Sequence, residues 1–141
     1  MENKTLLLFT DGACRGNPGF GGAGAVLLSV DGREIARAKK FLGHCTNNIA
    51  EYRALLLGLE EALKQGCRSI SVFMDSELLV RQLQGIYRVK KPDLQPLMAD
   101  ARALLSRFDT WRVEHVRRSE NVLADRLANE ALDEALGKSG T

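Results

Sequence analysis

Apolar residues change their spacing several times along the chain, and those changes divide it into strands and helices. The run Leu6 to Phe9 reads as a strand that ends on a lone carboxylate, Asp11. Gly12, Gly16, Pro18 and Gly19 follow closely, which predicts a tight, exposed turn rather than a continued strand. Ala23 to Leu28 gives a second strand, and Asp31-Gly32 is a hairpin signal leading into a third, Glu34 to Leu42. Arg37, Lys39 and Lys40 mark that third strand as a solvated edge or face. From Thr46 the period becomes helical. Ile49, Tyr52, Leu55, Leu56, Leu59 and Leu63 recur at three and four, with Thr46 or Asn47 as cap and Gly66 as stop. Ser69 to Met74 is a buried strand, and Asp75-Ser76 caps a short helix, Glu77 to Leu83. A loop from Ile86 to Asp93 carries Arg88, Lys90 and Lys91, and Pro92 suits the start of a helix reaching about Phe108. Thr110 to Val116 is a fifth strand. Ala124, Leu127, Ala128, Ala131, Leu132 and Ala135 then mark one face of a last helix, entered at Ser119 or Asn121 and ended by Gly137. Three antiparallel strands followed by alternating helix and strand imply an α/β fold, a mixed sheet with helices on its faces.

Composition narrows the field modestly. The 141 residues fit one domain, taken as 1–137 with a disordered tail at 138–141. Hydrophobic content of 45% and charged content of 27% are ordinary for a globular chain, and a net charge of +2 does not by itself imply nucleic acid. Cys14, Cys45 and Cys67 form no CxxC, which argues against a disulfide scaffold or zinc site and for a reducing cytoplasm. The first apolar run is too short for a signal peptide or membrane span. A cytoplasmic monomer with no obligate protein partner and no membrane association is the expectation.

The acids change the picture more. Asp11 closes the first strand, Glu51 lies about one turn into the first long helix, Asp75 closes the fourth strand, and Asp125 lies near the first turn of the last helix. Ligands of open α/β sheets collect at strand carboxyl ends. Each acid alone is adequately explained as a cap or a solvated turn residue. Four converging acids would repel one another and be driven toward protonation unless a cation sat between them. All-oxygen ligation suits Mg2+ or Mn2+, and a carboxylate cluster suits two such ions about 3.5–4 Å apart, the arrangement that hydrolyses phosphodiesters.

The segments TDGACRGNPG, TNNIAEYRALLLGLEEAL, Met74-Asp75-Ser76 and ENVLADRLANEAL resemble, in order and over nearly the whole chain, the four motifs of type 1 ribonuclease H. The resemblance implies a ribonuclease H-like fold, with a five-stranded mixed sheet (three antiparallel strands, then two parallel) flanked by helices. It implies hydrolysis of the RNA strand of an RNA/DNA hybrid with two Mg2+ or Mn2+ ions, leaving 5′-phosphate and 3′-hydroxyl ends. By motif, the catalytic, metal-binding acids are Asp11, Glu51, Asp75 and Asp125. Backbone at Gly12 to Cys14, with Asn17, Asn47 and Asn48, would face the minor groove, where 2′-hydroxyls distinguish RNA from DNA. Thr46 resembles the family's pocket for a DNA phosphate.

This chain departs from the family pattern at two places. The loop before the last helix, Val116 to Glu120, lacks the histidine many members carry there, and His115 reads as a partly buried structural residue. Arg118 is the candidate to help product or phosphate depart. The basic handle by which some members grip the hybrid is replaced by Gly85 to Pro92, as in a compact subgroup of the family. Double-stranded RNA and RNA–DNA junctions stay open as alternative substrates. So does a non-catalytic nucleic-acid-binding module on the same fold, although four retained acids argue against a pure binder.

Overall fold

The computed structural model describes residues 4–137. Its strands are β1 (Lys4–Gly16), β2 (Gly19–Ser29), β3 (Glu34–Cys45), β4 (Cys67–Met74) and β5 (Thr110–His115). Its helices are α1 (Asn47–Lys64), α2 (Glu77–Leu83), α3 (Gln95–Leu105) and α4 (Val122–Ala135). The five strands form one mixed sheet in the order β3-β2-β1-β4-β5. β1 pairs antiparallel with β2, as β2 does with β3, whereas β4 runs parallel to both β1 and β5. The expected α/β architecture is therefore observed. The expected disordered tail at 138–141 lies outside the described residues.

The tight, exposed turn that the glycine-rich stretch predicts is confined to Asn17-Pro18, after Gly16 at a φ of +95°, and the strand continues through the rest of the stretch. β1 runs through it and stays paired with β2 as far as Gly16 opposite Gly19. Gly16 and Gly19 serve that turn, whereas Gly12 and the glycines of β2 serve packing. A Cβ on Gly12 would stand 2.3 Å from the Ala50 carbonyl carbon of α1. On β2, a Cβ on Gly21 would come within 3.6 Å of the Ala50 Cβ, while Cβ atoms on Gly22 and Gly24 would lie 2.3 and 2.2 Å from the carbonyl oxygens of Ala128 and Ala124 in α4. Neighbouring strand residues point to opposite faces. The sheet is thus clasped between α1 on one face and α4 on the other, with both helix backbones drawn close by missing side chains.

Burial follows the same alternation. Leu6, Leu8 and Thr10 point toward α1 and are at most 3% exposed. Leu6 and Leu8 meet Tyr52, Leu55 and Leu59 of α1, together with Ile70, Val72 and Met74 of β4, in the main core. Each such large side chain contributes about 1.5–3 kcal/mol when fully buried. On the opposite face, Phe9 and Phe73 stack with ring centroids 4.9 Å apart. β3 is the solvated edge its cations predict, but Lys39 reaches α4, 2.6 Å from Glu134 and 3.2 Å from Glu130.

Other boundaries also differ from the sequence reading, β2 beginning at Gly19 and β4 at Cys67 among them. α3 begins at Gln95 with Pro96, not Pro92, in its first turn, and it ends at Leu105. β5 stops at His115. β3 extends to Cys45, so that α1 follows almost directly. Thr46 then caps α1, its Oγ1 accepting from the Ile49 amide at 3.3 Å.

The clasp can be tested at its tightest point. Gly24→Ala places a methyl group against the α4 backbone, and overpacking of this kind typically costs about 1–3 kcal/mol. At about 4 °C per kcal/mol for a domain of this size, the melting temperature should fall by about 4–12 °C. Gly32→Ala, at a hairpin position with nothing within 4 Å but a φ of +91°, should cost less.

Candidate active site

The acids come together because of the register between β1 and β4. Their parallel ladder ends at the pair Thr10–Met74. Asp11 and Asp75 are the next residues on the two neighbouring strands. Each lies two positions beyond a member of the stacked Phe9–Phe73 pair, so the alternation aims both toward the face that carries α4. Asp11 does not close its strand, as the sequence suggested; it sits inside β1, where pairing with β4 gives out. Glu51 reaches the same place from the first turns of α1, which Gly12 admits to close approach, and its carboxylate accepts the Gly12 backbone N–H. One carboxylate oxygen from each of Asp11, Glu51 and Asp75 falls within 4.8 Å of the others. Asp125, on the first turn of α4, stands within hydrogen-bonding reach of Asp11.

Electrostatics follow from that crowding. Asp11 is 4% exposed. Its burial, then the charges of Glu51 and Asp75, push its pKa from 3.8 up to about 9. Burial and then Asp75 push Glu51 from 4.5 up to about 8, against the Gly12 amide and the Arg118 guanidinium, which lower it. Both shifts mark a site where negative charge is poorly tolerated without a compensating cation.

The candidate substrate residues form a second group. Asn17 is exposed at the β1–β2 turn, and its Oδ1 accepts from the Asn47 amide at 3.1 Å, tying the turn to the start of α1. Asn17, Thr46, Asn47 and Asn48 line a cleft of about 370 Å³ with Lys91, Asp93 and Leu94. Lys91 thereby brings the basic loop to these residues, a meeting that sequence separation concealed. Gly12 belongs with the acids. The Cys14 thiol, by contrast, turns toward the carbonyls of Cys45 and Gly19, at 3.1 and 3.5 Å, and lines neither group.

Arg118 begins a short 3-10 turn, Arg118–Glu120, exposed but near enough to Glu51 to act on its charge. His115 is exposed, not partly buried as its phase with Val113 suggested. β5 is an edge strand, and of its six residues only Val113 is buried. The residue missed altogether is Asn121. Read as a helix cap, it makes no side-chain cap; at 2% exposure its Nδ2 donates to the Thr10 carbonyl (2.9 Å) and to Asp75 Oδ2 (3.1 Å). An amide one helical turn before an expected ligand, Asp125, was the available signal.

A mixed five-stranded sheet with acids gathered where its central parallel ladder ends is the framework of the site, and the family model described as "Reverse transcriptase-like" matches residues 9–131. Ribonuclease HI of Halobacterium salinarum is 46% identical over 127 residues, 90% of this chain and 64% of that protein. The bifunctional protein Rv2228c of Mycobacterium tuberculosis is 46% identical over 131 residues, 92% of this chain; this chain spans 36% of its length. Among solved structures, LC11-RNase H1 in complex with an RNA/DNA hybrid superposes with a TM-score of 0.89 at 38% identity, covering 93% of this chain and 99% of that one. The chain belongs to the type 1 ribonuclease H family. No helix among the described residues is long and apolar enough to cross a membrane.

The raised carboxylates carry a pH signature. Their folded pKa values exceed the unfolded ones, so folding takes up protons. The stability they contribute is complete below about pH 4 and is lost as pH rises toward about 8 for Glu51 and 9 for Asp11. In EDTA, the melting temperature should therefore fall between pH 5 and pH 9. Asp11→Asn should flatten that slope and raise the melting temperature at pH 8 by about 4 °C or more.

Proposed function

We propose that the protein is an endoribonuclease that hydrolyses the RNA strand of RNA/DNA hybrids with divalent metal, leaving 5′-phosphate and 3′-hydroxyl ends. The observation that carries this reading is the meeting of Asp11, Glu51 and Asp75 within 4.8 Å, with Asp125 beside Asp11. The donor set fits the group. Carboxylate oxygens alone suit Mg2+ or Mn2+, and acids held this close tolerate ionisation together only opposite positive charge. Two divalent ions bound there supply a water activated for attack and neutralise charge on the scissile phosphate and leaving oxygen.

The rest of the chain positions substrate. Asn17, Asn47 and Asn48, held together by the Asn47 amide, offer side-chain amides to the minor-groove edge and its 2′-hydroxyls, alongside the backbone at Gly12 and Cys14. Thr46 and Lys91, lining one cleft, supply a hydroxyl and a cation for a phosphate of the DNA strand. Arg118, near Glu51 on its exposed turn, assists departure of the cleaved phosphate.

With Mg2+, wild type should cut the RNA of a labelled hybrid and leave duplex DNA intact; a parallel duplex-RNA arm defines how far the substrate range extends. Asp75→Asn should lower kcat by about 10³-fold, the several kcal/mol such metal-assisted stabilisation contributes. Retention of full activity by Asp75→Asn would refute the reading, as would activity undiminished by EDTA. Lys91→Ala should raise the KM for hybrid and reduce the slope of log affinity against log salt by about 1, with little change in kcat. Arg118→Ala should lower kcat about tenfold with KM nearly constant, the loss of one charge-assisted contact.

A further inference from the structure

Asn121 is buried where a helix-capping asparagine would normally serve the helix. It stands immediately before α4, yet its side chain bonds none of the amides of α4. Its Nδ2 donates instead to two acceptors outside the helix, the Thr10 carbonyl at 2.9 Å and Asp75 Oδ2 at 3.1 Å. Its Oδ1 is buried without a hydrogen-bond partner. An acceptor left unpaired in the interior costs free energy, so capping does not account for this placement.

The two acceptors are informative. Thr10 and Met74 form the last pair of the β1–β4 ladder. The Asn121 amide stands where the next rung would be, joining the carbonyl before Asp11 to the carboxylate that follows Met74. We propose that Asn121 is a positioning residue for the metal site: it locks the rotation of the Asp75 carboxylate and the spacing of Asp75 from Asp11 before any ion arrives. This rests on the metal-dependent reading of the site given above. The chemistry selects the residue type. A carboxamide NH2 has two hydrogens for two acceptors, whereas Asp in its ionised form has none and would add a further negative charge beside the others. With Oδ2 engaged by the amide, the direction of the other Asp75 oxygen is set. Groups that orient metal ligands in this way typically account for about 10–100-fold in metal affinity or activity.

The test compares wild type with Asn121→Ala and with Asn121→Leu, which keeps the branched shape and removes the donor, so that at least one variant preserves the packing of α4. Mn2+ binding is measured by titration calorimetry, folding by melting in EDTA, and kcat and KM on an RNA/DNA hybrid. The expected result is about 10–100-fold weaker Mn2+ binding and a comparable loss in kcat, with KM for the hybrid within about twofold of wild type. In an Asp75→Ala background, Asn121→Ala should weaken Mn2+ binding by less than about twofold further, because the amide acts through Asp75. Variants that bind Mn2+ as wild type does would overturn the proposal, and so would undiminished losses in the Asp75→Ala background. Losses that merely track a falling melting temperature in both variants would also overturn it. Wild type failing to bind Mn2+ would instead overturn the metal-dependent reading, and this proposal with it.

Discussion

Mutual repulsion between carboxylates held out of water is the constraint around which the molecule is built. Asp11, Glu51 and Asp75 place oxygens within 4.8 Å of one another, a geometry no flexible chain would keep unaided. It persists because each acid sits on an element fixed by something else. Asp11 lies on β1, paired on one side with β2 and on the other with β4, and its strand neighbours Leu8 and Thr10 are almost fully buried. Asp75 directly follows β4, next to buried Met74. Glu51 lies between Ala50 and Tyr52, both fully buried. The apolar core thus offsets the electrostatic cost, and the two cannot be relaxed independently.

Glycine is the means by which two helices reach one sheet from its two faces. Gly12 admits α1, and with it Glu51, from one face; Gly22 and Gly24 admit α4, and with it Asp125, from the other. Asp11 lies opposite Gly24 in the β1–β2 ladder, so the strand acid and the helix acid meet where a side chain is missing. A sheet with ordinary residues at these positions would hold its helices farther out, and the acids would no longer share a site. Packing distance, more than any single contact, decides that this sheet edge carries chemistry.

This explains which parts of the structure were legible in the sequence. The three-and-four spacing from Ile49 to Leu63 and the alanine-rich face of α4 determine helices whatever surrounds them, and both form as expected. The acids were recognisable because carboxylates beside apolar neighbours are unusual. The continuation of β1 to Gly16 was not legible, because local propensity treats glycine as a turn former while its use here depends on helices more than thirty residues away. Asn121 was hidden for a related reason. Its position before a helix has an adequate local explanation, and only the three-dimensional meeting of Thr10, Asp75 and α4 reveals the other one. His115 misled because alternation assigns a face but not whether anything covers it.

The same charges bear on how substrate would enter. On the proposed reading, a polyanionic duplex approaches a cluster of acids on a chain whose net charge is only +2, with Lys91 of the short loop standing at the neighbouring cleft. Beside Glu51, the Arg118 guanidinium acts on its charge from an exposed turn. Without metal, Asp11 and Glu51 favour their protonated forms near neutral pH, which reduces the repulsion but also removes the ligands. Divalent cations would resolve both difficulties together, by ionising the acids and by reversing the sign of the field that the phosphate meets. Metal binding and substrate admission are then one electrostatic event. On that reading, the weaker grip expected without a large basic handle would be offset in part, because some of the positive charge facing the hybrid's backbone would arrive with the ions.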